Sequence, residues 1–537
     1  MRNDVDAVPA ESAEKTQVRP GASKRHAFLV AAGIFLSRIA GLVRQRIFAH
    51  YFGNSDAADA FNAAFRIPNF LQNLFGEGVL SASFIPVYAG LLARKEDQEA
   101  RRTAGAVAAL LALTTSILVL VGLVATPYLI DGIAPGFHGE KRELTIRLVR
   151  ILFPGAGLLV FSAWCLGILN SHRRFFLSYT APVIWNAAMI ATLWGFGGRY
   201  AQYPLAAIVA WGSVVGSALQ VVVQLPVVLR LLRGLRLSLD QTPNVKTVVH
   251  NFGPVFVGRG VVQISGYVDA WLASWLGTGA LSAFSYAQIL FTLPVSLFGM
   301  SVSAAELPHM SGALGDDHEI AEALRARLDP GLRQIAFFVL PSVVAFLVLG
   351  DVIVAALYQT GRFTHSDALY VWAILAGATV GLLASTLGRL YSSAYYALRD
   401  TRTPLRFAVV RVVLTTILGY LCAIPLPRAL GIDPRWGVVG LTVSAGIASW
   451  VEFTLLRLTL NRRIGKTGIP AAYLARLWIA AGSAATVGWL IHHFLHAHAP
   501  VLVGIAVLIP YGTIYLAAVL LLEIDEARSL WRRLWRR

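Results

Sequence analysis

Charge and cysteine are both scarce in this sequence. Only 14% of its 537 residues are charged, whereas a soluble globular domain carries about 25%. The two cysteines, Cys165 and Cys422, stand far apart in apolar runs and give no disulfide or metal-binding pattern. No polar segment between the apolar runs is long enough to form a soluble domain. These absences point away from a soluble protein.

Long hydrophobic runs are what the sequence has instead, since 56% of its residues are hydrophobic. Runs of about 20 apolar residues recur along the chain, and each is long enough to cross a bilayer as a helix. They are too continuous for alternating barrel strands. We therefore predict an all-α polytopic membrane protein with fourteen transmembrane helices. The predicted spans are 27–50, 57–92, 103–130, 144–170, 175–197, 202–229, 247–276, 280–312, 333–357, 367–398, 404–425, 436–461, 469–493 and 499–522.

The net charge of +17 would suggest nucleic acid on a soluble protein, but here the basic residues follow the predicted topology. Of the 46 lysines and arginines, 30 lie in the two tails and every second loop, and 6 lie in the opposite loops. Cytoplasmic loops are the ones enriched in Lys and Arg, so both termini are predicted to be cytoplasmic. Residues 1–26 lack the apolar core of a signal peptide and are predicted to be a disordered tail. Residues 524–537 are predicted to be a basic tail at the membrane surface.

Ten basic residues remain inside the predicted spans. An arginine at the bilayer centre costs at least about 2.5–3.5 kcal/mol. Four of the ten sit near span ends, where the side chain can reach the interface: Arg46, Arg147, Arg150 and Arg476. Four others lie deeper and need a wet cavity or an anionic partner: Arg38, Arg44, Arg66 and Arg259.

Helical spacing supports a cavity. The second span carries polar residues at intervals of three and four: Asp59, Asn62, Arg66, Asn69 and Asn73. Such a stripe does not suit lipid, and it either forms hydrogen bonds between helices or lines a water-filled path. In the seventh span Asp269 shares a face with Arg259, about 15 Å away along the axis. Asp269 is a candidate sodium ligand or proton carrier, and the alternative is pairing with an arginine on another helix.

The two halves of the membrane region echo each other. Pro68 lies within the second span and Pro294 within the eighth, six spans later, and both are expected to interrupt their helices. Proline-interrupted helices at corresponding positions are typical of transporters whose site lies between two repeats. We predict one six-helix bundle over 27–235, a second over 236–465, and two extra helices over 466–523.

Two segments carry a family resemblance. The first runs from Ser37 to Arg44 (Ser-Arg-Ile-Ala-Gly-Leu-Val-Arg), continues through Asp59-Ala60-Phe61 and Arg66-Ile67-Pro68-Asn69-Phe70, and ends at Phe75-Gly76-Glu77-Gly78. The second comprises Tyr358-Gln359-Thr360-Gly361-Arg362-Phe363-Thr364 and the stretch from Tyr396 to Pro404. With the count of fourteen spans, they resemble the MurJ (MviN) family of bacterial lipid II flippases.

The resemblance implies a fold of the multidrug/oligosaccharidyl-lipid/polysaccharide exporter type. Two six-helix bundles would form a V around a central cationic cavity, and the last two helices would border a groove for a lipid tail. The implied function is translocation of undecaprenyl-diphosphate-linked peptidoglycan precursor from the inner to the outer leaflet of the cytoplasmic membrane. The implied transport is by alternating access, without catalysis.

The resemblance also implies site residues. Positions that match the family pattern for substrate binding are Arg38, Arg44, Asp59, Arg66, Glu77 and Arg389. The sequence departs from the family at positions that usually carry charge, where it has Gln45, Gln72, Asn73, Gln288 and Ile289. Arg259 and Arg411 are candidates to replace the missing positive charge. Asp269 could match the position at which some members bind sodium.

Several alternatives stay open on the sequence alone. The cargo could be another polyprenyl-linked glycan, or the chain could be a non-transporting paralogue that has lost cavity arginines. A drug/cation antiporter needs acids more than arginines, and a membrane glycosyltransferase needs a carboxylate or metal motif that the sequence does not show. The expected partners are a lipid-linked glycan and membrane lipids, with no nucleic acid, no cofactor beyond sodium or membrane-potential coupling, and a monomeric chain in the bacterial inner membrane.

Overall fold

A computed structural model describes residues 20–312, 316–495 and 499–535, and the regular structure of these residues is helical. The first half of the chain contains α1 Pro20–Phe52, α2 Asp56–Phe75, α3 Glu77–Ser83, α4 Ile85–Ala93, α5 Asp97–Ile133, α6 Gly139–Ser171, α7 Phe175–Phe196 and α8 Gln202–Leu231. The second half contains α9 Pro243–Ser274, α10 Ala280–Pro294, a π-helical segment Val295–Met300, α11 Ser301–Ser311, α12 Asp317–Val348, α13 Gly350–Tyr358, α14 His365–Thr379, α15 Leu382–Ala397, α16 Arg402–Ala423, α17 Pro425–Ala429, a 3₁₀ turn Pro434–Trp436 and α18 Gly437–Ile464. The chain continues with α19 Ala471–Phe494, α20 Pro500–Leu521 and α21 Asp525–Trp535.

The predicted fold class is confirmed. Within the described residues, 11 helical stretches are long and apolar enough to cross a membrane, or 12 if the bent pair α14–α15 forms one span. Helices α1 and α9, which the sequence also predicts as spans, are long but are not in that set. The count of fourteen crossings therefore stays a prediction, although a helix covers each predicted span.

The helix interruptions are only partly where proline predicts them. Helix α2 continues through Pro68 to Phe75 and breaks at Gly76, and a second break follows at Phe84. The expected interruption at Pro68 is therefore wrong, because membrane helices tolerate proline when neighbouring groups satisfy the freed carbonyl. In the other half, Pro294 is followed directly by the π-helical segment, so that interruption is confirmed.

The helices pack in two groups and a pair. In the first half, α6 packs against α2, α5 and α8, and α7 packs against α1 and α8. In the second half, α18 packs against α14, α15 and α16, while α12 packs against α15. The last pair, α19 and α20, pack together and against α12 and α13. The two halves meet mainly where α2 and α3 contact α9 and α10.

The predicted tails are only partly within the described residues. Helix α1 begins at Pro20, so residues 20–26 of the predicted disordered tail are helical, and residues 1–19 lie outside the described part. At the other end, α21 covers most of the predicted surface tail as a helix.

The motif from Tyr358 to Thr364 joins the two halves at one end of the molecule. The backbone N–H of Arg362 donates to the carbonyl oxygen of His50 over 2.8 Å, and His50 Nδ1 lies 2.9 Å from the hydroxyl of Thr360. Arg46 donates to the carbonyl oxygens of Ala356 and Leu357 at 2.6 and 2.8 Å. Arg46, predicted to reach the interface, instead binds two carbonyls of the other half.

Glycine makes this close approach possible. Gly361 has a φ of +54°, and a Cβ placed on it would lie 2.5 Å from the carbonyl oxygen of His50. A side chain here would force the two halves apart or strain the backbone. We call this joint, formed by His50 and residues 358–364, the rear seam.

We expect Gly361→Ala to destabilise the protein by about 1–3 kcal/mol, because alanine adds both the backbone strain and the clash with His50. The measurement is the midpoint of thermal unfolding in detergent. The matched control is Gly482→Ala, since Gly482 lies in α19 and a methyl group added there would meet no described heavy atom within 4 Å. Equal midpoints for the two variants would contradict the role of Gly361.

Candidate functional site

A polar cavity of about 240 Å³ lies among α9, α10, α14, α15, α16 and α18. Its charged and polar lining residues are Asp269, Gln288, Ser385, Arg389, Arg411, Thr415, Thr442 and Ser449. Two guanidinium groups and one carboxylate lie in this wall. With Arg66 at the edge and Glu452 beside Arg411, three guanidinium groups stand against two carboxylates, so the net charge is positive. Such a wall favours an anion over a cation.

The two arginines of the cavity differ in their surroundings. Arg411 forms an ion pair with Glu452 of α18, with 3.3 Å between Nη1 and Oε2. Arg389 is exposed toward the cavity, and the ion pairs found among the described residues do not include it. Arg389 therefore keeps its hydrogen-bond donors available, and a guanidinium can bind phosphate oxygens as a bidentate donor.

Arg66, which lies on α2 in the first half of the chain, is close to the same cavity. Its Nη1 donates to the carbonyl oxygen of Gly266 over 3.1 Å, and the hydroxyl of Tyr267 donates to the carbonyl oxygen of Arg66 over 2.7 Å. Its guanidinium lies 5.7 Å from the centre of the Phe284 ring. Because Gly266 and Phe284 both line the cavity, Arg66 sits at its edge, between the two halves.

Asp269 lies between positive groups. It interacts electrostatically with Arg66 and Arg411, and its Oδ1 is buried without a hydrogen-bond partner in the described structure. Sodium prefers a shell of several oxygen ligands, as other hard cations do. Among the described residues that line this cavity, Asp269 is the only acid, and two arginines share its wall. Asp269 therefore offers one carboxylate beside two guanidinium groups, and the sodium site stays a prediction.

The other predicted cavity arginines of α1 lie apart from this cavity. Arg44 is half-buried, with its guanidinium 4.7 Å from the centre of the Trp185 ring and Nη1 3.7 Å from Met189 Sδ. Arg38 is exposed, and Gln45, at a position that is usually acidic in the family, is buried. A guanidinium over an indole face is stabilised by the quadrupole of the ring, which explains how Arg44 is tolerated without an acid.

Asp59 has a different place from the one predicted. Its side chain is 0% exposed, and it caps the start of α10 by accepting the backbone N–H groups of Gly279 at 2.8 Å and Ser282 at 2.7 Å. Lys141 of α6 lies 2.7 Å from Asp59 and 2.8 Å from Asp56. We call this group of five residues the clasp. The clasp holds α2 and α6 against α10.

The remaining predicted residues are not placed at the cavity by the structure. Glu77 begins α3 and Arg259 lies in α9, but the side chains of both fall outside the described part. Gln288 lines the cavity as an uncharged residue, and Gln72 is half-buried while Asn73 is exposed. Of the predicted set, the structure thus gathers Arg66, Asp269 and Arg389 around one space.

Sequence reasoning missed three partners. Glu452 lies 41 positions from Arg411, Trp185 is one of 13 tryptophans, and Lys141 falls in a predicted loop. The only sequence signal for Glu452 is that it is an acid inside a predicted span, and such residues are expensive unless they pair. That signal indicates that Glu452 needs a partner, but it does not identify Arg411 as the partner.

Sequence comparisons identify one family, and structural comparisons find the same fold in that family and in another. Residues 48–509 match the family described as "Lipid II flippase MurJ". The chain is 31% identical to the lipid II flippase MurJ of Burkholderia cenocepacia over 81% of this chain and 84% of that protein. A solved structure of a lipid II flippase MurJ in an inward closed conformation covers 92% of this chain and 100% of its own, with a TM-score of 0.73 at 24% identity. An inward-facing multidrug resistance MATE family transporter of the MOP superfamily has a TM-score of 0.62 at 18% identity, over 81% of this chain and 98% of its own.

We expect Asp59→Ala to lower the free energy of unfolding by about 3–5 kcal/mol, because it leaves Lys141 buried beside a single acid and two N–H groups without an acceptor. The measurement is again thermal unfolding in detergent. Glu96→Gln is the control, since Glu96 pairs with Arg94 on the surface and such pairs contribute little. A change in Asp59→Ala no larger than in this control would show that the clasp does not stabilise the fold.

Proposed function

The chain belongs to the lipid II flippase MurJ family, and from that membership we propose that it moves lipid II, the undecaprenyl-diphosphate-linked peptidoglycan precursor, from the inner to the outer leaflet of the bacterial inner membrane. The observation that carries the proposal is the positive cavity bordered by Arg66, Arg389 and Arg411. A diphosphate headgroup is anionic, and guanidinium groups bind it with several charge-assisted hydrogen bonds. The polyprenyl tail can stay in lipid while the headgroup passes through the protein.

The proposed movement is alternating access between the two halves. In this structure the clasp and the rear seam hold the halves together at one end. With the termini proposed to be cytoplasmic, that end faces outward, so the headgroup enters from the inside and leaves when these contacts part. An inside-negative potential favours outward movement of an anion by about 2.3 kcal/mol per charge per 100 mV.

Coupling to the membrane potential fits this chain better than coupling to sodium. Asp269 is the predicted sodium ligand, and its neighbours Arg66 and Arg411 already supply the positive charge that a carboxylate needs in a membrane. We propose that these arginines occupy the electrostatic role that a cation would otherwise have.

A related cargo is the second candidate. Gln288 lines the cavity at a position that is usually charged in the family, so the headgroup meets an altered set of side chains. A flippase for another polyprenyl-linked glycan would keep the arginines that bind diphosphate and change the contacts to sugar or peptide. A non-transporting paralogue is the other outcome that fewer cavity charges would allow.

The remaining features of the proposal follow from the family. Its members are named as transporters, so we propose no catalytic step for this chain. The membrane helices support an inner-membrane location, and the bias of basic residues supports cytoplasmic termini. We propose a monomer as the working unit, bound to membrane lipids and not to nucleic acid.

We expect Arg389→Ala to reduce lipid II translocation at least tenfold, because it removes from the cavity wall a guanidinium that the ion pairs of the described residues do not include. The measurement is growth of a flippase-depleted bacterium that expresses each variant, with membrane abundance of the protein determined in parallel.

Arg389→Lys keeps the charge and should retain part of the activity, whereas Arg94→Ala removes an exposed arginine far from the cavity and should behave as wild type. Full growth with Arg389→Ala would contradict the proposed role of the cavity. Purified protein in vesicles with lipid II or with other lipid-linked sugars separates the two cargo candidates.

We also expect transport in vesicles to be unchanged when sodium is replaced by potassium at constant membrane potential, because Asp269 offers one carboxylate beside two guanidinium groups. The measurement is the initial rate of headgroup appearance in the outer leaflet. A rate that falls several-fold without sodium would restore the predicted sodium site.

A further inference from the structure

One face of α6 carries two arginines with no acidic partner. Arg147 and Arg150 are one turn apart and exposed, and the ion pairs found among the described residues do not include them. Helix α6 begins at Gly139, so Arg150 lies about 16 Å along the helix axis. Both residues can extend toward the membrane surface, but a guanidinium at this depth still needs water or an anion at its tip.

The two arginines line a cavity of about 480 Å³ on the outside of the first half. The other lining residues include Trp211 of α8, which is 56% exposed, and Glu143. Tryptophan is enriched at both membrane–water interfaces, where its ring meets lipid headgroups. Glu143 interacts electrostatically with Arg142, so it is not available to Arg147 and Arg150 alone. The lining of this cavity therefore has an excess of positive charge.

This cavity continues into an apolar crevice. A second cavity of about 480 Å³ shares Pro154 with the first and runs between α5 and α6. Its walls are mostly apolar: Leu111, Ala112, Val119, Leu120, Gly157, Leu158, Val160 and Phe161. The adjoining surface of α5 is apolar and open, with Val124 79% exposed, as expected for a face that meets lipid. A positive pocket thus leads into an apolar crevice along one face of α6.

We propose that this surface binds one anionic phospholipid of the surrounding leaflet. Its phosphate lies between Arg147 and Arg150, and one acyl chain lies in the crevice beside Gly157. Charge complementarity favours a headgroup with a net negative charge, since two like-charged guanidinium groups repel each other and a zwitterionic headgroup brings a positive charge of its own. In the proposed orientation α6 begins at the outer end, so the lipid belongs to the outer leaflet. The site lies on the outside of the first half and shares no lining residue with the cavity of Arg389.

The test is lipid binding by the full-length protein in mild detergent, measured by native mass spectrometry. Phosphatidylglycerol is titrated against phosphatidylcholine with the same acyl chains. We expect wild type to bind phosphatidylglycerol at least tenfold more tightly, and R147Q/R150Q to lose that preference while its affinity for phosphatidylcholine stays unchanged. R147K/R150K should keep most of the preference. R94Q/R462Q removes the same charge from two exposed arginines elsewhere and should bind as wild type.

A second variant tests the crevice without changing charge. Gly157 faces Thr115 and Val119 of α5 at ordinary contact distance, so Gly157→Leu fills the crevice. It should weaken binding of phosphatidylglycerol several-fold. Unchanged lipid binding by R147Q/R150Q would overturn the proposal. The proposal would also be overturned if inorganic phosphate displaced phosphatidylglycerol while Gly157→Leu bound the lipid normally. That result would indicate a site for a free anion, without a contribution from the crevice.

The transport assay separates this inference from the proposed function. R147Q/R150Q should move lipid II at the wild-type rate in vesicles of phosphatidylcholine, since the arginines lie outside the proposed path. Displacement of phosphatidylglycerol by lipid II, with loss of transport in R147Q/R150Q, would instead assign the surface to the cargo and overturn the phospholipid site. If the wild-type protein did not transport lipid II, the proposed function would fail, but the measured binding of phosphatidylglycerol would still support the phospholipid site.

Discussion

The cost of holding a guanidinium group inside a membrane determines much of this structure. Each arginine that enters the membrane region needs a partner, and the chain supplies several kinds. Arg44 has an indole ring, Arg46 and Arg66 have backbone carbonyl groups of the other half, and Arg411 has the carboxylate of Glu452. Arg389 is the one among these five whose guanidinium has no ion pair or hydrogen bond among those found in the described residues. The same requirement that fixes four arginines in place leaves one ready for an anionic ligand.

The partners of these arginines also explain how the two halves are joined. Arg46 and Arg66 both bind carbonyl oxygens across the interface between the halves, and Gly361 lets two backbones approach closely there. Backbone carbonyls carry no net charge, so such contacts can form and part without leaving an unpaired carboxylate. Within the second half, Arg411 and Glu452 form an ion pair, whereas Asp269 interacts electrostatically with Arg66 of the first half.

Much of the fold follows from the sequence, and much of the site does not. Apolar length predicts the helices because each backbone group must be satisfied within its own segment in lipid. The break at Gly76 was missed because proline at 68 is the stronger local signal, and surrounding helices override it. Helical periodicity predicted that Arg66 lies on a polar face, and Asp269 and Arg389 were identified as candidates. It could not predict that Asp59 caps another helix, because capping across 220 positions depends on tertiary packing.

The charges of the clasp are arranged so that separation of the halves leaves every ion pair intact. Lys141, Asp56 and Asp59 all belong to the first half. The second half contributes neutral donors: the N–H groups of Gly279 and Ser282 donate to Asp59, and the hydroxyl of Thr278 donates to Asp56. If the halves move apart here, the lysine keeps both carboxylates, and two amide groups at a helix start pass to water. Opening at the clasp then breaks charge-assisted hydrogen bonds and packing contacts, but it separates no ion pair of the clasp. Such contacts stabilise the closed arrangement and can break and form again without separating an ion pair of the clasp. This property suits a protein that must repeat the movement once for every molecule it carries.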